Sequence, residues 1–258
     1  MELTAVVDQI LVFAFTFAAN LFASVSGGGA GFVQFPMLIL MGLPFATALG
    51  THKVAVVFLG IGALAKKKSS HTQYGLDKHV AIAMMVLGCP AVVSGTLIVI
   101  NVPSQAAEIT VGMITIAMGV YTLVKKGFGS TGLEHRSPLR FALGCLCIIV
   151  IGMFSGSLSS GAGLFATLAL TLVFGLELKR AILHTMVFVA TIWNAVGAIT
   201  VGAVTSIYWQ WVPVMIIAAF MGSFLGTSLL FKLPVEKVRI IFSCVAILSG
   251  VLLVYTAF

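Results

Sequence analysis

Ser24-Val-Ser-Gly-Gly-Gly-Ala-Gly31 lies between two apolar stretches, residues 5–24 and 32–43, and Ala48-Leu-Gly-Thr-His-Lys53 follows shortly after. Glycine is poor in a helix interior, since it loses more backbone entropy than alanine and has no side chain to pack. In water, Gly27-Gly-Gly29 would read as a surface loop. The flanks are too apolar for that, so the stretch reads as a helix broken inside a membrane. Such a break survives only where protein or a water-filled cavity satisfies the freed backbone groups, which makes it a candidate binding site.

The composition agrees. Hydrophobic residues make up 60% of the 258 and charged residues 8%, where a soluble domain carries roughly 25% charged. Apolar segments recur to the last residue, so one cleaved leader does not account for them. At ~20 residues per span, the length accommodates about eight to ten helices, and the predicted class is an all-α transmembrane bundle. Cys89, Cys145, Cys147 and Cys244 fall inside apolar segments without metal-ligand spacing and read as buried small hydrophobes. No cofactor or metal is expected.

Beyond the break, spans are predicted at 46–65, 79–100 and 105–125, and the Gly- and Ser-containing stretch 125–140 reads as a linker. The second half repeats the pattern: a span at 139–157, Ser159-Ser-Gly-Ala-Gly163, a short segment 164–176, then spans at 181–203, 207–231 and 236–257. Gly29-Ala-Gly31 matches Gly161-Ala-Gly163 at an offset of 132, and Gly42-Leu43 matches Gly175-Leu176 at 133. In this register Thr51 falls on His184. The expected organisation is a first repeat at 1–126, a cytoplasmic linker at 127–138 and a second repeat at 139–258.

The net charge of +7 suggests nucleic acid or anionic lipid at first sight, but topology explains it better. Thirteen of the fourteen Lys and Arg residues lie in 66–78, 125–140, 179–180 and 232–239. Counting each short segment as a crossing puts all four regions on one side, which the positive-inside rule makes cytoplasmic. Five crossings per half then invert the second repeat. Inverted repeats with broken helices at the midplane mark many secondary transporters. If the short segments re-enter instead, the count is eight and the charge map is less tidy.

Lys53 is the remaining basic residue, about 10 Å into its helix at 1.5 Å per residue. An ionisable group at that depth is a functional candidate; the plainer reading is a lysine snorkelling to the headgroups. Thr51 and His52 precede it, and His184 and Thr185 occupy the corresponding place in the second half. A half-helix beginning after either break points its unpaired N–H groups and positive dipole end at the break, which suits an anion. Ser24, Ser26, Ser159 and Ser160 add hydroxyls; Gly28, Gly29, Gly161 and Gly163 admit close backbone approach. Asn194, Asn20 and Gln34 are polar groups in apolar segments that serve either as ligands or as bridges between helices. Tyr208, Trp209 and Trp211 read as an interfacial belt. No P-loop, dinucleotide fingerprint, metal spacing or carboxylate pair is present, so no enzyme is expected.

Gly27-Gly-Gly-Ala-Gly31, Pro36, Ala48-Leu-Gly-Thr-His-Lys53 and the weaker copy at 159–185 resemble the TauE/SafE family of sulfite exporters and sulfonate permeases. The resemblance covers almost the whole chain. It implies a multi-pass carrier of the inner membrane for sulfite, a sulfonate such as sulfoacetate, or another small organic anion. The family's first motif often has Asn where this chain has His52, and its second copy often has Lys where this chain has Met186, so the second-half site is less basic here. The expected function is secondary transport of a small sulfur-containing anion by alternating access, with a proton as a possible coupling ion. An anion channel, or a carrier for a non-sulfur organic anion, is the alternative.

Overall fold

A computed structural model describes residues 2–69, 74–99, 104–133, 137–157 and 161–256. The described elements are helical, with no strand among them. The first half comprises α1 (Glu2–Ser26), α2 (Ala30–Leu40), α3 (Phe45–Ser69), α4 (Lys78–Val86), α5 (Gly88–Val99) and α6 (Ser104–Val124). The second comprises α7 (Pro138–Ser157), α8 (Ala162–Leu172), α9 (Leu178–His184), a π-helical segment (Thr185–Trp193), α10 (Asn194–Val204), α11 (Val212–Lys232) and α12 (Val235–Thr256).

Among the described residues, six stretches are long and apolar enough to cross a bilayer: Val6–Ser26, Phe45–Ser69, Lys78–Ile98, Pro138–Ser157, Leu178–Val204 and Val212–Lys232. Helices α2 and α8 have 11 residues each. At 1.5 Å per residue they are about 16 Å long, half the depth of a hydrocarbon core. Lipid-facing side chains such as Ile10, Leu40, Ile199 and Leu248 are exposed, as a bilayer solvent requires.

The breaks fall where the glycines are. Gly27, Gly28 and Gly29 take φ values of 79°, 153° and 99°, and Gly161 takes 84°. Side-chain-bearing residues rarely adopt this region, because Cβ crowds the following carbonyl. At its other end α2 closes in a Schellman motif, with Gly42 N donating to Ile39 O and Leu43 N to Leu38 O. Asp77 caps α4, accepting from the amides of His79 and Val80.

Packing pairs α1 with α11 and α5 with α7; α3 lies on α11 and α10 on α5. The π segment packs on α3, and α6 on α12. Most of these pairings interchange when the halves are swapped in the 132–133 register. The central core mixes both halves: Ala23, Phe32, Val56 and Leu59 cluster with Leu164, Ile182, Met186 and Ala190.

Two expectations change at the edges. Trp211 is buried and packs edge-on against Tyr208 at 4.7 Å, leaving Trp209 as the exposed aromatic of that turn. Pro213 near the start of α11 lets the helix begin at Val212, not 207, and the aromatic turn before it folds inward. The cysteines are free thiols, but none is fully buried: Cys89, Cys145 and Cys147 are intermediate and Cys244 is exposed. In a membrane an exposed thiol faces lipid without an apolar penalty, so burial is not required of it.

Candidate substrate-binding site

The two breaks meet backbone to backbone. A Cβ added at Gly28 would lie 2.6 Å from the Leu164 amide nitrogen and 2.8 Å from Gly163 Cα. One added at Gly163 would lie 2.9 Å from both Gly27 O and Gly28 Cα. Only glycine on both sides permits this approach. Thr167, one turn after Gly163, ties the seam: its hydroxyl donates to Gly27 O at 3.1 Å and lies 2.9 Å from the Thr185 hydroxyl. Ser26 closes the first break from within, donating to Gly28 O at 2.7 Å.

Beside the seam is a cavity of about 30 Å³ walled by both halves. Gly28, Gly29, Ala30 and Gly31 contribute from the first break, and Gly163 from the second. His52 stands on α3, Thr185 at the start of the π segment and Asn194 at the start of α10. The N-termini of α2 and α8, at Gly29 and Gly161, carry no side-chain cap. A glycine at the N-cap has no side chain of its own to occupy the first amides. His52 is buried, and its Nδ1 has no hydrogen-bond partner among the described residues. A buried ring nitrogen left unpaired costs free energy, so a ligand or water that bonds it gains by doing so. The Asn194 amide donates to Val189 O at 2.8 Å.

His52 and Thr185 occupy equivalent positions and both wall the cavity, as do Val56 and Val189. The preceding pair, Thr51 and His184, faces away from it. Thr51 accepts the Tyr208 backbone N–H at 2.9 Å, and His184 Nε2 accepts the Asp77 backbone N–H at 2.8 Å. His184 Nδ1 then meets Arg180 O at 2.8 Å, which makes Nδ1 the protonated nitrogen. Each residue thus binds a loop of the other half.

Lys53 is fully buried and also lies outside the cavity wall. Its ammonium donates to Ser155 O at 2.7 Å, in the last turn of α7, and rests over Gly197. A cation there suits the negative end of that helix dipole. Ser159 and Ser160 lie outside the described residues. Gly161 caps α8 against the Phe32 ring. Arg180, beside Glu177 and Lys179 on the α9 turn, holds the neighbouring loop through Gly75 O at 2.9 Å. Sequence reasoning missed Thr167, although a threonine four residues after Gly163 in an apolar segment was a readable signal. The apolar walls Ala23, Leu59 and Ala190 gave none, whereas Met186 stood where the resemblance places a lysine.

Similarity to known proteins agrees with this geometry. The chain is 27% identical over 241 residues to the probable membrane transporter protein YfcA of Escherichia coli (strain K12), covering 92% of this chain and 86% of that one. It is 26% identical over 179 residues to the probable membrane transporter protein ORF9 of Sinorhizobium sp, covering 69% and 67%. It is 23% identical over 242 residues to the probable membrane transporter protein YdhB of Bacillus subtilis (strain 168), covering 90% and 94%. No solved structure matches the chain significantly. The family model described as sulfite exporter TauE/SafE matches residues 12–253, and with six apolar spans around two abutting helix breaks the chain belongs to that family of multi-pass membrane transporters.

Proposed function

We propose that the chain is a secondary transporter of a small sulfur-containing oxyanion, working by alternating access around the cavity between the breaks. One observation carries this reading: the two breaks meet across the halves beside a cavity lined by Gly28–Gly31 and Gly163 together with His52, whose Nδ1 has no partner among the described residues. Free amides and a positive dipole end stabilise an anion without a full positive charge in the wall. Asn194 and Thr185 add polar groups from the second half, and Ser159 and Ser160 belong to the same proposed site.

Size bears on the substrate. One water-sized sphere needs about 10–15 Å³ on this measure, so about 30 Å³ suits a compact ion. Sulfite fits that description; an organosulfonate such as sulfoacetate requires the walls to part. The halves are taken as inverted repeats, with the basic ends cytoplasmic and a proton as coupling ion. Interchangeable pairings and the placement of charge support the inverted arrangement and its orientation. The test is thermal unfolding of purified protein with sulfite, sulfate, sulfoacetate and carboxylates, since a ligand of the folded state raises its stability, followed by flux in proteoliposomes. Sulfite is expected to stabilise the wild type, and His52→Leu to lose most of that shift together with flux. No shift and no flux with any of these anions would overturn the reading.

A further inference from the structure

Two carboxamides lie side by side in the α1–α2 hairpin with their bonding half made. Asn20 and Gln34 are 0% and 1% exposed. Asn20 Nδ2 donates to Thr16 O at 2.7 Å and to Gln34 Oε1 at 3.2 Å. The bond to a backbone carbonyl fixes which end of Asn20 is nitrogen, and the second bond then fixes the oxygen of Gln34. Facing carboxamides can close a second N–H···O bond between their remaining atoms. Here Asn20 Oδ1 and Gln34 Nε2 both lack a partner among the described residues. The nearby Ser24 hydroxyl is occupied with Asn20 O. A donor and an acceptor are therefore buried together and unpaired, which is costly unless something visits them.

Their position says what visits. Asn20 lies three residues before Ala23 and Gln34 four residues after Ala30, and both alanines wall the cavity. Residues so spaced share a helix face. The pair thus sits about one turn, ~5.4 Å, along the hairpin, on the side away from Lys66–Lys68, because α2 leads from the break to the start of α3.

We infer that Asn20 and Gln34 form a second ligand station between the cavity and that face, and that it selects a small oxyanion carrying one proton. Gln34 Nε2 donates to a charged oxygen of the ligand, while Asn20 Oδ1 accepts from its O–H. A fully ionised oxyanion sets oxygen against Asn20 Oδ1 with no hydrogen between them. A singly charged anion without an O–H leaves that acceptor unsatisfied. The inference rests on the transport reading and adds discrimination by protonation state.

The double variant Asn20→Leu/Gln34→Met tests it, because replacing both partners with apolar groups of similar shape removes both orphaned atoms. Labelled sulfite flux is measured in proteoliposomes at one pH where sulfite is mostly singly protonated. Sulfate and methanesulfonate serve as competitors, the first doubly ionised and the second singly charged without an O–H. For the wild type, both are expected to compete poorly. The double variant should unfold at the same or a higher temperature, while its flux falls by about tenfold or more, the loss expected for a charge-assisted hydrogen bond. Its residual flux should no longer distinguish sulfite from methanesulfonate. Unchanged flux and selectivity would leave the pair as the seat of an ordered water only, and lower stability would make it structural; either result overturns the station. Neither result touches the cavity reading, which fails only if the wild type neither binds nor moves sulfite.

Discussion

At the scale of single residues, the seam between the breaks is held by absence of side chains, and its cost can be separated from backbone strain. Gly28 and Gly42 both take positive φ, at 153° and 94°. Around Gly42 nothing lies within 4 Å of an added Cβ, whereas at Gly28 the Cβ would strike the backbone of Gly163 and Leu164. Gly42→Ala should therefore cost only strain, about 1–2 kcal/mol. Gly28→Ala should cost roughly 3 kcal/mol or more, because it overpacks a backbone contact that cannot give. Thermal unfolding in detergent orders the two variants, and equal losses would mean that the seam is not tight. Lys53 makes the complementary case. Lys53→Met keeps the stem but withdraws the ammonium from Ser155 O, and loss of a buried charged donor costs about 1–3 kcal/mol. Because the ammonium lies outside the cavity wall and holds the end of α7, a lower unfolding temperature with sulfite flux within a few-fold of the wild type is expected. A loss of flux of about tenfold or more at unchanged stability would instead bring Lys53 into the mechanism.

At the scale of elements, two loops are pinned by repeat-related residues. Thr51 receives the Tyr208 amide of the α10–α11 turn, and His184 receives the Asp77 amide that begins α4. These bonds lie at the opposite ends of the paired spans α3 and α9–α10, so on the proposed alternating-access reading they should act as latches for opposite openings. Thr51→Val should favour the state open beside Tyr208, and His184→Leu the state open beside Asp77. Each lost bond is worth about 1 kcal/mol, roughly a fivefold shift in population. The readout is the labelling rate of Val56→Cys in the cavity wall by an impermeant thiol reagent, applied from one side after the native cysteines are replaced. Equal rates in both variants would refute the latches. The π segment between the latches carries Thr185, Met186, Val189 and Ala190 of the wall. Thr191 and Asn194 return their side chains to the carbonyls five residues back, at Met186 and Val189. Gly60 leaves room for it, since an added Cβ would strike Thr191 and the Met186 carbonyl. Little of this was legible in the sequence. The offset aligned Thr51 with His184, but each residue turns a helix by about 100°, so alignment did not say that the next pair, His52 and Thr185, would face the cavity. A π turn has no local pattern of its own, because the facing Gly60 decides where it fits. The breaks were legible for the opposite reason: positive φ is a local requirement that glycine alone meets easily.

At the scale of the whole molecule, the spans could be read because lipid imposes length and apolarity on every crossing, and the expected segments recur within a few residues in α1 to α12. Orientation rests on charge. Lys66, Lys67 and Lys68 end α3, Lys232 ends α11, and Lys125 and Lys126 follow α6, whereas the Thr205–Trp211 turn carries no charge. Moving the basic ends to the outer face would carry these lysines across the bilayer against the positive-inside bias. The linker and the aromatic turn should therefore lie on opposite sides. Ser130 in the linker and Trp209 in the turn are both exposed and outside the helices. In a cysteine-free background, Trp209→Cys should react with an impermeant reagent added to intact cells, and Ser130→Cys only after permeabilisation. The same arrangement sets the direction of the two latches: His184 and Asp77 lie beside the lysine-rich end, so His184→Leu should favour a cytoplasm-open carrier and Thr51→Val an outward-open one. If Ser130→Cys reacts in intact cells, the orientation is reversed and both latch assignments exchange sides. If both cysteines react from one side, the short helices do not return the chain across the membrane, and the inverted arrangement of the halves fails with them.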